Sequence, residues 1–318
     1  MSIDSDSAGE VLDSMGAMAS LFQAPAAIRA TIAAAGSAGV PEGLEIGAVV
    51  LAASQRSALT AKTVGSIAAQ RVQRPVIVNL GEPLPVWLGS RSLVVALDDA
   101  AANEVVSDDS VAGVPVIAIG AQTERRPNPL VETAAALVAL AQFDIAPGLL
   151  DDLIGAADLV ESRLEEWVAD KGPARRLARR IGRTLPLVYG AGPVGAAAAA
   201  SWKFSVNRNA KAPAYWNAVP GVDFDEVCGW AQHGDVTRQV FTLAVLRSAL
   251  ETDDQRHRLD VTAETCEEIV AGVHPVDATA TTDVGVLFEL MAFGEMVSLH
   301  MADIADIDPG PTPVLGRY

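Results

Sequence analysis

Four short apolar runs dominate the first 120 residues: LEIGAVVLAAS (44–54), PVIVNL (75–80), SLVVALDD (92–99) and VPVIAIG (114–120). Each reads as a short, nearly continuously apolar strand, the pattern expected where both faces of a sheet are covered. Helix-prone or turn segments separate them, SALTAKTVGSIAAQR (57–71) and AANEVV among them. Such alternation predicts a parallel sheet with helices on both sides, the α/β class. Aromatic residues are only 5% of the chain while half of it is hydrophobic, so the core must be assembled from Ala, Val, Leu and Ile.

Upstream, residues 9–35 read as one or two helices broken near Pro25, with Val11, Leu12, Met15, Met18, Leu21 and Phe22 at helical spacing. Downstream, a helical stretch from about 129 to 183 is interrupted at Pro147-Gly148 and Gly172-Pro173 and contains the natural boundary between two domains, 1–145 and 146–318. The pattern then restarts with a strand at 185–189, a helix at 196–206, an Asn- and Pro-rich loop to 221 and a helix at 223–233. A strand VFTLAVL (240–246), a helix near 253–258, a strand at 267–272 and a last helix from about 284 to 305 complete it. Two α/β halves of similar plan are expected, followed by the extended, proline-stiffened end DPGPTPVLGRY.

The formal net charge of −17 argues against binding nucleic acid or anionic lipid, since both require clustered positive charge. The densest basic group, Arg175, Arg176, Arg179, Arg180 and Arg183, reads most simply as a solvated helix face. No apolar run reaches the roughly 20 residues of a membrane span, and the opening MSIDSDSAGE lacks secretory character. Cys228 and Cys266 form no C-x-x-C motif, so a reduced cytoplasmic compartment is the expectation. No pair of histidines has ligand spacing, and neither a metal nor a cofactor is expected.

Gly190, Gly192 and Gly195 spell G-x-G-x-x-G between an apolar strand and an alanine-rich helix. A dinucleotide site would add a second strand and an acidic residue about 20 positions on. At that distance stand Tyr215 and Trp216, read as loop, so the glycines are better explained by a tight strand-to-helix turn.

The next residues, SWKFSVNRNAKAPAYWNAVPGVDFDEVCGW (201–230), are more informative. They resemble the run R-W-K-x-Q-x-N-E-N-A-K, followed by P-E-x-x-H-N-E, of the bifunctional phosphoglucose/phosphomannose isomerases, enzymes of two sugar-isomerase (SIS) domains. Trp202, Lys203, Asn207, Asn209, Ala210, Lys211, Pro220 and Glu226 fit the pattern. MVSLHMADIADIDPGPTPV resembles the family's closing helix and D-P-T-P-V tail, whereas residues 10–145 agree mainly in strand order and in P-L-P at 83–85. The resemblance implies two doubly wound SIS domains, a cytoplasmic homodimer and a phosphosugar site between domains and at the subunit interface. It also implies aldose-ketose interconversion through an enediol, in which a carboxylate moves the proton, a histidine assists ring opening and first-domain hydroxyls hold the phosphate.

The matching positions depart from that chemistry. The family's proton-moving glutamate falls on Arg208, a guanidinium that stays protonated, and its histidine falls on Phe224. Asp225 stands for the asparagine and Gly221 for the first glutamate of the second motif. Losing a positioned general base costs ~10²–10⁴ in rate. The glycine-rich phosphate turn aligns with Ala53 to Ala58, keeping Ser57, and the following serine-glycine-asparagine-threonine loop with Asp98 to Asn103. The leading expectation is a catalytically degenerate member that binds a carbohydrate phosphate or regulates or assembles with another protein of sugar-phosphate metabolism.

A second expectation keeps an anion ligand, a hexose phosphate, on Ser54, Arg56, Ser57, Lys203, Asn207, Arg208 and Lys211, with Arg208 paired to Asp98, Asp99 or Asp225 as the plainer alternative. The third is an active isomerase with relocated residues, for which Glu226 is the main candidate beside Asp225, His233 and His300. His257 reads as part of a charged helix end, His274 as a loop residue, and Glu264, Glu267 and Glu268 as helix surface.

Overall fold

The computed structural model describes residues 12–35, 45–81, 83–107, 113–119, 128–143 and 145–310. The N-terminal acidic stretch, the start of the first expected helix and the P-T-P-V tail lie outside these residues.

The first helix, α1 (Ala17–Ala35), starts where both Asp13 carboxylate oxygens accept the amides of Ala17 and Met18 at 2.7 and 2.9 Å. It runs through Pro25 unbroken, against the expected interruption. Proline removes one backbone donor, and burial of Leu21, Ala24, Pro25 and Ile28 along one face holds the helix across that gap.

Four parallel strands follow: β1 (Ala48–Ala53), β2 (Val76–Leu80), β3 (Ser92–Ala96) and β4 (Val116–Ala118), in the order β2-β1-β3-β4. Val50 lies between Ile77 and Val94 in register. Val49, Leu51, Leu93 and Val95 point into the main core, while Val50, Ala52, Val94 and Ala96 point to a smaller cluster on the other side. Because both pleat faces are covered, the two central strands read as unbroken apolar runs. Helices α2 (Ala58–Arg71), α3 (Asp99–Ser107), α4 (Pro129–Ala141), α5 (Leu149–Val168) and α6 (Pro173–Ile181) complete this half and lead to the next.

The second half repeats the plan. Its strands β5 (Leu185–Ala191), β6 (Tyr215–Val219), β7 (Phe241–Arg247) and β8 (Val273–Asp277) are parallel in the order β6-β5-β7-β8. Helices α7 (Gly192–Ser205), α8 (Glu226–Trp230), α9 (Gly234–Val240), α10 (Asp253–Glu267) and α11 (Asp283–Ile304) accompany them. Two expectations are corrected. Tyr215 and Trp216 belong to strand β6 rather than to a loop, and the last strand lies at 273–277 rather than 267–272, which places His274 in β8. The segment 267–272 instead closes α10, where Cys266 and Val270 are buried beneath the sheet. The expected helix at 223–233 is divided into a 3-10 turn, α8 and a second 3-10 turn.

Helix α11 is long and apolar enough to cross a membrane by composition, but 89% of its apolar window is buried inside the protein, packed on α5, α6 and α7. It is a core helix shared by the assembly of layers.

Candidate functional site

In an open sheet with this strand order, the chain reverses direction of winding between β1 and β3, and the crevice beyond the carboxyl ends of those strands is where such folds bind ligands. Two predicted residues stand there. Ser54 follows β1 and caps the 3-10 turn Gln55–Ser57, its hydroxyl accepting the Arg56 amide at 3.2 Å; Ser57 is buried at the start of α2.

The group they hold is already part of the chain. Asp98, after β3, accepts the Ser54 amide at 3.0 Å, the Ser54 hydroxyl at 2.9 Å and the Ala101 amide, in the first turn of α3, at 2.9 Å. Ser57 also donates to it, and the residue is 5% exposed. Burial raises the proton affinity of this carboxyl, but hydrogen bonds from Ala101, Ser54 and Ser57 outweigh it, so its pKa lies below the ordinary value. The nest of hydroxyl and amide donors thus surrounds an internal carboxylate.

A second carboxylate was not foreseen. Glu132, in the first turn of α4, accepts the Thr60 hydroxyl at 3.2 Å. Burial lifts its pKa, opposed by the Thr60 bond and by the charges of Arg56 and Arg208, with Asp98 adding to the rise. Arg56 of the first half and Arg208 of the second therefore act on one carboxyl between them. The Asn128-Pro129 start predicts a helix with an acidic first turn; nothing in the local sequence says which way Glu132 faces.

Arg208 sits in a single π-helical turn, Val206–Ala210, that extends α7, and its guanidinium carbon lies 5.6 Å from the centroid of Phe204. The other signature residues hold the fold. Trp202 is buried and donates to the Leu290 carbonyl at 2.7 Å; a Cβ at Gly294 would come within 2.4 Å of its ring. Lys203 donates to Asn207 at 3.0 Å, Asn207 to the Ala212 carbonyl at 2.7 Å, and buried Asn209 to the Ser298 hydroxyl at 2.8 Å. Lys211, at φ 53°, donates to the carbonyls of Arg208 at 2.5 Å and Pro309 at 3.2 Å.

Phe224 is 79% exposed in the 3-10 turn after β6. Asp225 accepts Asn217 at 3.2 Å and caps α8 through the Glu226 amide at 2.5 Å. Glu226 accepts the buried Tyr189 hydroxyl at 2.6 Å; burial, and then this bond, raise the phenol pKa. Tyr189 belongs to the cluster on the α10 side of the second sheet, whereas Trp202, Val206 and Ala210 belong to the main core on the opposite side. Glu226 and Arg208 therefore serve different faces. His233 and His257 are exposed, and His300 is buried against the Trp167 carbonyl at 3.0 Å with its pKa lowered by burial. Among the described residues no cluster of three or more His, Cys, Asp or Glu is arranged to hold a metal.

The glycine motif is explained by packing. A Cβ on Gly190 would lie 2.5 Å from the Gly195 carbonyl oxygen, so the first and third glycines let α7 rest directly on β5. A second strand does follow, but it ends at Val219 without an acidic residue in its own span.

Two four-stranded parallel sheets in the same order, flanked by helices, define a double SIS-type α/β protein. Residues 170–318 match the model of the bacterial phospho-glucose isomerase C-terminal SIS domain. The chain is 25% identical over 295 residues to the bifunctional phosphoglucose/phosphomannose isomerase of Caldicellulosiruptor bescii, covering 84% of this chain and 87% of that protein. It is 27% identical over 169 residues to the enzyme of the same name from Aquifex aeolicus, covering 52% and 50%. Its residues 170–318 thus match that SIS domain family, and the chain as a whole is similar to these isomerases. Among solved structures, a glucose-6-phosphate isomerase like protein from Thermus thermophilus superposes with a TM-score of 0.61 at 18% identity, over 96% of this chain and 95% of that one. The C-terminal domain of glucosamine-fructose-6-phosphate aminotransferase from Francisella tularensis gives 0.62 at 11%, over 96% and 99%. These structural likenesses concern the fold.

Proposed function

We propose that this chain is an isomerase-family SIS protein that has lost aldose-ketose chemistry and acts through binding, as a regulatory or assembly protein of sugar-phosphate metabolism, in the cytoplasm and as a homodimer. The observation that carries the reading is Asp98, ionised and satisfied by donors of the crevice nest. A phosphate of charge about −1.5 to −2 approaching within ~4 Å of that carboxylate would meet roughly 1–4 kcal/mol of repulsion per unit charge pair. It would also find Ser54 already donating. Arg208 in place of the glutamate removes the proton acceptor as well.

A second reading has its own observation. Glu132, half-buried and raised in pKa despite the charges of Arg56 and Arg208, has the character of an acid-base group displaced from the signature. A coupled isomerase assay on fructose 6-phosphate and mannose 6-phosphate separates the two. The leading reading expects no turnover above blank; turnover abolished by Glu132→Gln, with Glu226→Gln unaffected, would establish the second.

A further inference from the structure

A cavity of about 380 Å³ opens among α5, α6, β8 and α11, and none of Ser54, Ser57, Asp98, Glu132 or Arg208 lines it. Its volume is within the range of small-molecule sites, roughly 300–1,000 Å³. The apolar walls are Trp167, Leu177, Val276, Leu290 and Phe293, of which all but Phe293 are buried. Arg163, Arg176, Arg180 and His274 contribute polar groups around them.

Three arginines and three carboxylates line the cavity, but they are not paired one to one. Of the three carboxylates, Glu289 is fully engaged by the Thr279 amide and hydroxyl and the Ala280 amide at 2.8–2.9 Å, and Glu166 pairs with Arg163 at 3.3 Å. Asp277 contributes to the field that raises Arg247 on the neighbouring strand. Helix α6 sorts its arginines by face. Arg175 and Arg179 both pair with Asp170, at 2.9 and 2.7 Å, whereas Arg176 and Arg180, one turn apart, line the cavity and form no ion pair among the described residues. Arg176 gives one donor to the Lys171 carbonyl, and Arg180 acts on His274, whose pKa burial and that charge both lower. A neutral imidazole keeps one N–H to donate. In a chain of net charge −17, two guanidiniums above a buried apolar floor are a local exception.

We propose that this cavity is a binding site for a small amphipathic anion, a ring or compact hydrocarbon body carrying one acidic group. Arg176 and Arg180 take the acidic group and the floor between Trp167 and Leu290 takes the body. A ligand with an apolar body matches the buried Trp167, Leu177, Val276 and Leu290 better than a bare hexose phosphate, whose hydroxyls would lie against those side chains. The site is independent of the crevice and of what the crevice binds.

Titration of the full-length folded protein with 8-anilinonaphthalene-1-sulfonate, followed by fluorescence, tests this. Saturable binding near one equivalent is expected, with the uncharged analogue N-phenyl-1-naphthylamine at least about tenfold weaker. Arg176→Glu combined with Arg180→Glu should weaken the sulfonate by about tenfold or more, a change of ~1.4 kcal/mol per decade, with the melting temperature preserved. If that pair perturbs folding, Arg176→Gln with Arg180→Gln must give the same selective loss. Equal affinity for the two dyes, undiminished binding in the folded variants, or no saturable binding to the wild-type protein would overturn the proposal.

Discussion

At the scale of single residues, the two crevice carboxyls differ in sign. Asp98 has a depressed pKa, so its contribution to stability is present above its unfolded value and is lost as pH falls through the lower folded one. Glu132 is the reverse: its raised pKa means that the folded state holds the proton more tightly, so stability declines as pH rises from the unfolded value through the folded one. Glu132→Gln is therefore expected to raise the melting temperature at pH 7, with the gain shrinking as the buffer is taken below about pH 4. Asp98→Asn should lower it at pH 7, with the loss shrinking on acidification. Melting curves across pH 3–8 check both. The family resemblance of 201–230 was legible because its residue pattern is specific, and the C-terminal domain match spans it. That Asp98 fills the donor nest and that Glu132 lies in the field of Arg56 and Arg208 were not, since each depends on segments far apart in sequence coming together.

At the scale of elements, all four strands of the first sheet and the central strands of the second were legible, while the two edge strands of the second sheet were not. Strands β1, β3, β5 and β7 are buried on both faces and leave continuous apolar runs, while β6 exposes Tyr215 and Trp216 and β8 carries Pro275, which an edge strand tolerates. Within 202–211, Trp202 and Asn209 are buried and hydrogen-bonded to α11, through the Leu290 carbonyl and the Ser298 hydroxyl. Two substitutions probe this. Asn209→Ala removes a fully buried hydrogen bond to Ser298 and should cost about 1–3 kcal/mol. Gly294→Ala drives a methyl into the Trp202 ring and should cost a similar ~1–3 kcal/mol through overpacking. Urea denaturation measures both, and near-neutral values would contradict the packing account.

At the scale of the molecule, the halves share one core, and α2 of the first packs on α7 of the second. Arg71 at the end of α2 ties Asp152 of α5 to Asp283 of α11, with its Nε 2.8 Å from Asp283. The three side chains are 16–24% exposed, and their mutual hydrogen bonds raise the arginine pKa against the opposing effect of burial. Arg71→Met leaves two carboxylates without that partner and should cost about 1–3 kcal/mol, a loss that shrinks with added salt; thermal melts at low and high ionic strength read it.

The most direct test is calorimetric titration of fructose 6-phosphate into the wild-type protein and into Asp98→Ser, which restores the hydroxyl of the family pattern. No heat of binding to the wild type and measurable binding to the folded variant are predicted. Tight binding to the wild type, unchanged or weakened by the substitution, would contradict the occupied nest on which the functional reading stands.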